Sequence, residues 1–482
     1  MRNLVFILIS LFSFNAFSAK VCNRTYQIRQ ILEEKLQKNC ADITDADLAT
    51  IQFFEIRYQA NSEVTKLQSD DFQGMTSLQR LNLTQAALTE FPPGIFNGLT
   101  SLKSLWLVTA KFSEFPGGLF TDLQSLHTLW ISGTNKGPAM QAIAPNAFVG
   151  LNSLRRLHLA YQALETLPPD LLIPTPNLEE LDLGSNRLYH LPPKFLNHLT
   201  LLKELSLGGN YFKEFETDAF YGLSQLEFLS LPPVRFIDRD AFKDLTSLDT
   251  LFFANQCEVI ESGLFSNTKR LRNLLIDGLQ AETLPADLFA GLTSLEKLDM
   301  ESTNLKTLPS GIFQGLPNLY DLHLSYSKAL VLPPGIFANL SKLIFLGLDS
   351  TPLVRLDKEI FKDLISMREM NLRAAGIKTI DRNAFNGMPN LFRVNLNQNK
   401  LITLEPLIFL SNPLLREVNL AGNMLETLPS DVFSSKFFST SAFVTLKDNP
   451  ITPETRSMLS NQLGKRALFD DYDHLLSKSQ NQ

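Results

Sequence analysis

Positive charge is in short supply. Against 50 Asp and Glu the chain sets 44 Lys and Arg, a formal net charge of -6, which disfavours nucleic acid as a partner because phosphate recognition needs a basic footprint. Cysteine is scarce too: three in 482 residues, with Cys22 and Cys40 near the start and Cys257 alone, so no disulfide framework and no cysteine metal site runs through the sequence. The HExxH, GxSxG, CxxC and P-loop patterns are missing, and no histidine has a carboxylate or nucleophile placed for it by spacing, so neither catalysis nor a bound metal or cofactor is expected. After the first residues no apolar run is long enough to span a membrane. A chain of this length ordinarily suggests two or three domains, yet no Pro/Gly/Ser-rich linker or charge block interrupts it, which favours one elongated domain.

What fills the chain instead is repetition. An LxxLxL run recurs about every 24 residues, with first leucines at Leu78, Leu102, Leu126, Leu154, Leu178, Leu202 and Leu226, then Leu248, Leu271, Leu295, Leu319, Leu343, Met367, Leu391 and Leu415. Weaker copies at Ile51, Phe54 and Ile56 and at Val444 and Leu446 open and close the array. Each unit is too short to bury its own apolar face and must stack on its neighbours. The LxL segment has period two, so Leu81 and Leu83 face inward while Asn82 faces out, as a short strand requires. One strand per unit gives a parallel sheet.

The strand signature, with the LPxxxFxxL half seen in Leu308, Pro309, Phe313, Leu316 and again in Leu332, Pro333, Phe337, Leu340, resembles the 24-residue leucine-rich repeat over nearly the whole chain. The resemblance implies an α/β solenoid: a horseshoe with a parallel concave β-sheet, a mostly irregular convex side and helical caps at both ends. It also implies an asparagine just after each strand, bonding the backbone of adjacent turns. That residue is present at Asn186, Asn210, Asn399 and Asn423, but Ala86, Ala110, Thr134, Gln162, Val234, Gln256, Leu279, Thr303, Ser327, Thr351 and Ala375 stand elsewhere. An apolar side chain leaves peptide groups for water or a local backbone shift to satisfy, so uneven curvature is expected near Val234 and Leu279.

The ends read as follows. Arg2, the apolar stretch Leu4–Phe14 and the small residues near Ser18 read as a secretory signal peptide over 1–18. In the oxidising compartment this implies, Cys22 and Cys40 can pair, two unrelated thiols being the alternative. The segment 19–50, with Ile28, Ile31, Leu32 and Leu36 on one helical face and Thr25 placed to cap that helix, resembles the helical N-terminal cap of exported bacterial leucine-rich repeat proteins. The solenoid, about 16 repeats, occupies 51–449. Thr452 and Pro453 start a C-terminal cap over 450–476, followed by a polar, flexible tail, 477–482. The expected destination is outside the cytoplasm: periplasm, cell surface or medium.

Function must come from the outward side chains of the strands. Trp106 and Trp130, both tryptophans of the chain, occupy the middle outward position of consecutive strands, followed by His158, with Arg156 and Tyr161 alongside. Neighbouring strands set such rings roughly 5 Å apart, so they either form a binding patch or pack on one another. Phe228 and Phe252 make a second outward cluster beside Pro232 and Pro233, or are drawn into a distorted core. Further on, Asp277, Asp299, Glu301, Asp321 and Asp349 form an acidic stripe beside Tyr320, His323, Tyr326 and Phe345, which either keeps the solenoid soluble or receives a basic segment or a sugar. Asn371, Asn395 and Asn419 read as a polar ladder between strands. An insertion, Asn135–Pro138, borders Trp130.

Two readings follow. The chain is a non-catalytic exported recognition protein that binds a protein or glycan of another cell or of the envelope on its concave face, or it is a structural envelope solenoid without a dedicated ligand.

Overall fold

The computed structural model describes residues 21–56, 64–84, 88, 90–107, 113–131, 133, 140–358, 360–433 and 442–469. The signal-peptide segment, Ala86, Ala110, Thr134, the Asn135–Pro138 insertion and the polar tail lie outside them. Backbone contacts divide the chain into two compact units, one of residues 1–213 and 218–232, the other of 214–217 and 233–482.

In the first unit the three-residue strands Phe53–Glu55, Arg80–Asn82, Ser104–Trp106, Thr128–Trp130, Arg156–His158, Glu180–Asp182 and Glu204–Ser206 pair in that order, all parallel, with the start of Phe228–Val234 last. Each central residue, Leu81, Leu105, Leu129, Leu157, Leu181 and Leu205, is at most 1% exposed, while its two neighbours face away from the core. Period-two alternation therefore points the central side chain of each strand into the core and its two neighbours to the other face, where Thr128 and His158 are nevertheless covered by their surroundings. The second unit repeats this from Thr250–Asn255 through Asn273–Leu275, Lys297–Asp299, Asp321–His323, Phe345–Gly347, Glu369–Asn371, Arg393–Asn395 and Glu417–Asn419 to Phe443–Thr445. Both units are parallel-sheet solenoids of stacked coils.

The return half of most coils carries the repeated phenylalanine, with Leu172 and Leu196 in its place in two coils of the first unit. In the second unit Phe242, Phe265, Phe289, Phe313, Phe337 and Phe361 stack with ring centroids 6.0–6.5 Å apart, an offset arrangement aromatic rings favour. Among the described residues no helix lies between Leu48 and Pro453. The return segments instead hold two-residue strand pairs, such as Glu114–Phe115 with Ala142–Ile143 and Arg355–Leu356 with Thr379–Ile380.

The asparagine slot shows how coils are tied together. Asn186 Nδ2 donates to the carbonyls of Leu159 (2.9 Å) and Leu183 (3.0 Å), and its Oδ1 accepts from Leu164 N–H. Asn399 and Asn423 do the same one unit later. Where asparagine is absent, other groups serve: Gln162 accepts from Met140 N–H and donates to the Ile131 carbonyl, and Thr351 Oγ1 donates to Leu324 O at 2.8 Å. The slot read as Gln256 is held by Cys257, fully buried, whose Sγ reaches Val234 O at 3.4 Å, while Gln256 is exposed. The reason is local. Strands Phe228–Val234 and Thr250–Asn255 run seven and six residues rather than three, and the extra length moves the slot by one place.

The first coil of the first unit and the last coil of the second are each covered. Helix Tyr26–Leu36 buries Ile28 and Leu32, and Cys22 is bonded to Cys40. Thr25 precedes that helix without capping it. Its Oγ1 donates instead to Asp71 Oδ2 at 2.6 Å, and Arg24 bonds the carbonyls of Asp71 and Gln73, fastening the helix to the first coil. At the other end helix Pro453–Leu463 begins with Thr452 accepting from Thr455 N–H and buries Leu459 and Leu463. A short strand, Ala467–Leu468, then pairs with Phe443–Thr445, so the final strand does not present a bare edge.

Candidate binding surfaces on the strand face

In the first unit the middle outward positions line up as Asn82, Trp106, Trp130, His158, Asp182, Ser206 and Ser230. Two partly buried indoles thus stand next to one another, and the column then falls to small polar side chains. The imidazole of His158 stacks on Trp130, centroids 3.8 Å apart at 20°. It is 6% exposed, so it underlies the surface rather than forming it. Its Nε2 lies 3.2 Å from Glu180 Oε1 and its Nδ1 3.8 Å from Asp182 Oδ2. Burial pushes the Asp182 carboxyl up, but the adjacent His158 and the Gly184 N–H, 2.9 Å away, hold it below the usual range on balance.

The flanking residues complete the patch. Arg156 is exposed and steered by Nε donating to Thr128 Oγ1 at 3.2 Å. Tyr161, half exposed, sits at φ 58°. Gly133 permits this: a Cβ there would lie 2.0 Å from the Tyr161 carbonyl oxygen, so only glycine lets that carbonyl approach. Trp106, Trp130, Arg156, His158 and Tyr161 therefore share one stretch of three adjacent strands. Phe228 lies three strands beyond His158, across Asp182 and Ser206, and is partly buried. Phe252 belongs to the second unit and is 36% exposed.

In the second unit the same column reads Phe252, Leu275, Asp299, His323, Gly347, Asn371, Asn395 and Asn419. His323 stacks on Phe345, centroids 4.7 Å apart, with Nε2 2.9 Å from Asp321 Oδ1 and Nδ1 3.4 Å from Glu301 Oε1. A Cβ at Gly347 would come within 3.4 Å of His323 Nδ1 and 3.3 Å of Phe345; the ring lies over the glycine. The contact with Asp321 raises the imidazole pKa against the opposing effect of burial, with Asp299 and Glu301 adding to it. Tyr320 lies under Lys297 Nζ, 5.6 Å from ring centroid, and Tyr326 is 46% exposed. Asn395 Nδ2 donates to Asn371 Oδ1 at 3.0 Å, so the polar ladder forms there.

Glu180 is what sequence reasoning missed. It pairs with Arg156, two residues before the Asp182 that faces His158, and reading the flanking outward column together with the middle one would have found it. Among the described residues no cluster of histidine, cysteine and carboxylate side chains is arranged to hold a metal ion, and no helix is long and apolar enough to cross a membrane.

A family model described as a BspA type leucine rich repeat region matches residues 20–137 and 213–344, and the general leucine rich repeat model matches 139–188, 176–232 and 346–401. No curated protein sequence matches, and no enzyme family is indicated. Among solved structures, a leucine-rich repeat protein of Leptospira interrogans is similar at 21% identity and TM-score 0.67, over 89% of this chain and 97% of that one. Toll of Drosophila, in its complex with Spätzle, is similar at 19% identity and TM-score 0.60, over 80% of this chain. The chain spans about half the length of the Toll chain, 52%. These likenesses concern the fold. With BspA-type repeats over more than half of its residues, the chain belongs to the leucine-rich repeat family.

Proposed function

We propose that the protein is a non-catalytic recognition module working outside the cytoplasm, which grips a protein or glycan partner on the strand face of its first unit, with Trp106 and Trp130 as anchors. The observation that carries this reading is the pair of neighbouring, partly accessible indoles, one of them seated on a buried imidazole that Glu180 and Asp182 flank. Large aromatics held rigid before binding lose little entropy on contact and dominate interface energies. Beside them Asp182, Ser206 and Ser230 offer a low polar floor, and Arg156 a cation for a polar rim. BspA-type repeats and the Cys22–Cys40 disulfide support an extracytoplasmic setting, as does the signal-like start of the sequence. Toll, similar in fold, is itself found with a protein ligand.

The close Trp130–His158 stack also favours a second reading, a structural solenoid in which the aromatics only stiffen the sheet. Replacing both tryptophans by alanine separates the two. Capture of a component from cell-surface extracts by wild type but not by the double variant, at equal melting temperature, is expected for recognition. Equal capture with a large loss of stability establishes the structural role instead.

A further inference from the structure

We propose that the last strands of the second unit form a small saccharide subsite, in which Phe443 stacks on one uncharged sugar ring while Asn419 and Thr445 bind its hydroxyls. It lies wholly within the second unit and goes beyond the tryptophan patch. Parallel register sets Arg393, Glu417 and Phe443 in one outward row and Asn395, Asn419 and Thr445 in the next. Two strand spacings make this patch roughly 10 Å long, and two residues along each strand make it roughly 7 Å wide. The same residues line a depression of about 110 Å³. A pocket for a drug-sized molecule takes roughly 300 Å³ or more, so this one admits a single small ring and leaves the rest of a chain outside.

The chemistry of the walls selects the ring. Charge is already balanced there: Arg393 Nε and Nη2 donate to the two carboxylate oxygens of Glu417 at 2.6 and 3.0 Å, and Nη1 donates to Glu369 at 3.4 Å. A charged ligand has to break that fork, whereas an uncharged one meets side chains already held in place. Hydrogen-bonding capacity, by contrast, is left over. In the polar ladder Asn371 donates to Asp349 and Asn395 donates to Asn371 at 3.0 Å. Asn419 does not continue it. Its Oδ1 accepts from Ala421 N–H at 3.1 Å, but among the described residues neither its Nδ2 nor the Thr445 hydroxyl has a protein partner. Both side chains are partly exposed and they stand opposite one another in the register, an amide beside a hydroxyl. Phe443 supplies the apolar element. At 41% exposure it is the one exposed large apolar side chain on the four strands from Glu369–Asn371 to Phe443–Thr445. A protein interface asks for several such side chains, with charge kept from its centre. A lone aromatic ring bordered by an amide, a hydroxyl and a fixed ion pair matches a pyranose instead, whose C–H bonds line one face and whose hydroxyls surround the edge. Those C–H groups meet the negative face of the aromatic quadrupole.

The test is binding of the full chain, displayed in many copies on fluorescent beads, to a printed array of neutral and of sulfated or sialylated oligosaccharides; the display compensates for the weak hold of a single ring. Capture on neutral oligosaccharides is expected, changing by less than about twofold between low and high salt. Phe443→Ala should cut it by about tenfold or more, and Phe443→Trp should restore it; Asn419→Ala and the near-isosteric Thr445→Val should each cut it by about threefold or more. No capture, or capture confined to the sulfated and sialylated spots, overturns the proposal. So does neutral capture that survives Phe443→Ala, and capture lost in Trp106→Ala/Trp130→Ala but kept in Phe443→Ala assigns the sugar to the first unit. Beads that instead hold deglycosylated surface protein, and lose it in Phe443→Ala, make the depression a protein contact.

Discussion

The two units use one device in two settings. In the first, His158 is stacked on Trp130 between Glu180 and Asp182 and is almost dry; in the second, His323 is stacked on Phe345 between Asp321 and Glu301 with its side chain 31% exposed. The difference lies in the neighbours. His158 is followed by Asp182 and Ser206 and supports an indole, so the flanking carboxylates serve the ring. Around His323 the carboxylates outnumber the cations, so the imidazole serves them. Burial thus separates a support for an aromatic anchor from a partial counter-ion in an acidic field.

The largest effect should be the same in both units. Leu157 and Leu322, each central to its strand and 0% exposed, should each lose about 2–5 kcal/mol on substitution by alanine, measured by denaturant unfolding. A marked inequality would mean that the two cores are not equivalent. The histidines should then differ. His158→Ala removes the seat of Trp130 and leaves Glu180 and Asp182 without the imidazole beside them, at an expected cost of about 2–3 kcal/mol, whereas His323→Ala should cost about 1 kcal/mol or less. Equal losses would erase the contrast.

Smaller still is the pH dependence. The folded pKa of His323 is raised, so its stabilisation is complete below the unfolded value of about 6.5 and is lost as pH rises through the raised folded value. The melting-temperature gap between wild type and His323→Ala should therefore be largest near pH 5.5 and shrink by pH 8.5; a gap that widens with pH contradicts the assignment. Asp349→Asn should have the smallest effect on the fold. The raised carboxyl favours folding only when protonated, below the unfolded value of about 3.9, and that gain is gone once pH passes the folded value. At pH 7 the neutral amide should melt at or above the wild-type temperature.

The strands were legible because the LxxLxL period ties each leucine to one interior, and Leu157 or Leu322 could be assigned inward from spacing alone. The outward columns followed from the same period, which is why Trp106, Trp130 and His158 were read as neighbours. Spacing could not tell that His158 would sink beneath its neighbours, since that depends on Glu180 and Asp182 on the next strand. Thr25 looked like a helix cap, yet Asp71, 46 residues on in sequence, takes its hydroxyl. Cys257 displaced Gln256 because two strands lengthened, a change of register that local patterning does not carry.

Because both tryptophans of the chain lie in the candidate site, their emission reports on that site alone. Acrylamide quenching of the full chain, free and saturated with the component captured from cell-surface extracts, tests the recognition account directly. Protection of both indoles on saturation, lost in part when either tryptophan is replaced, is the predicted result; quenching that is identical with and without the captured component would contradict it.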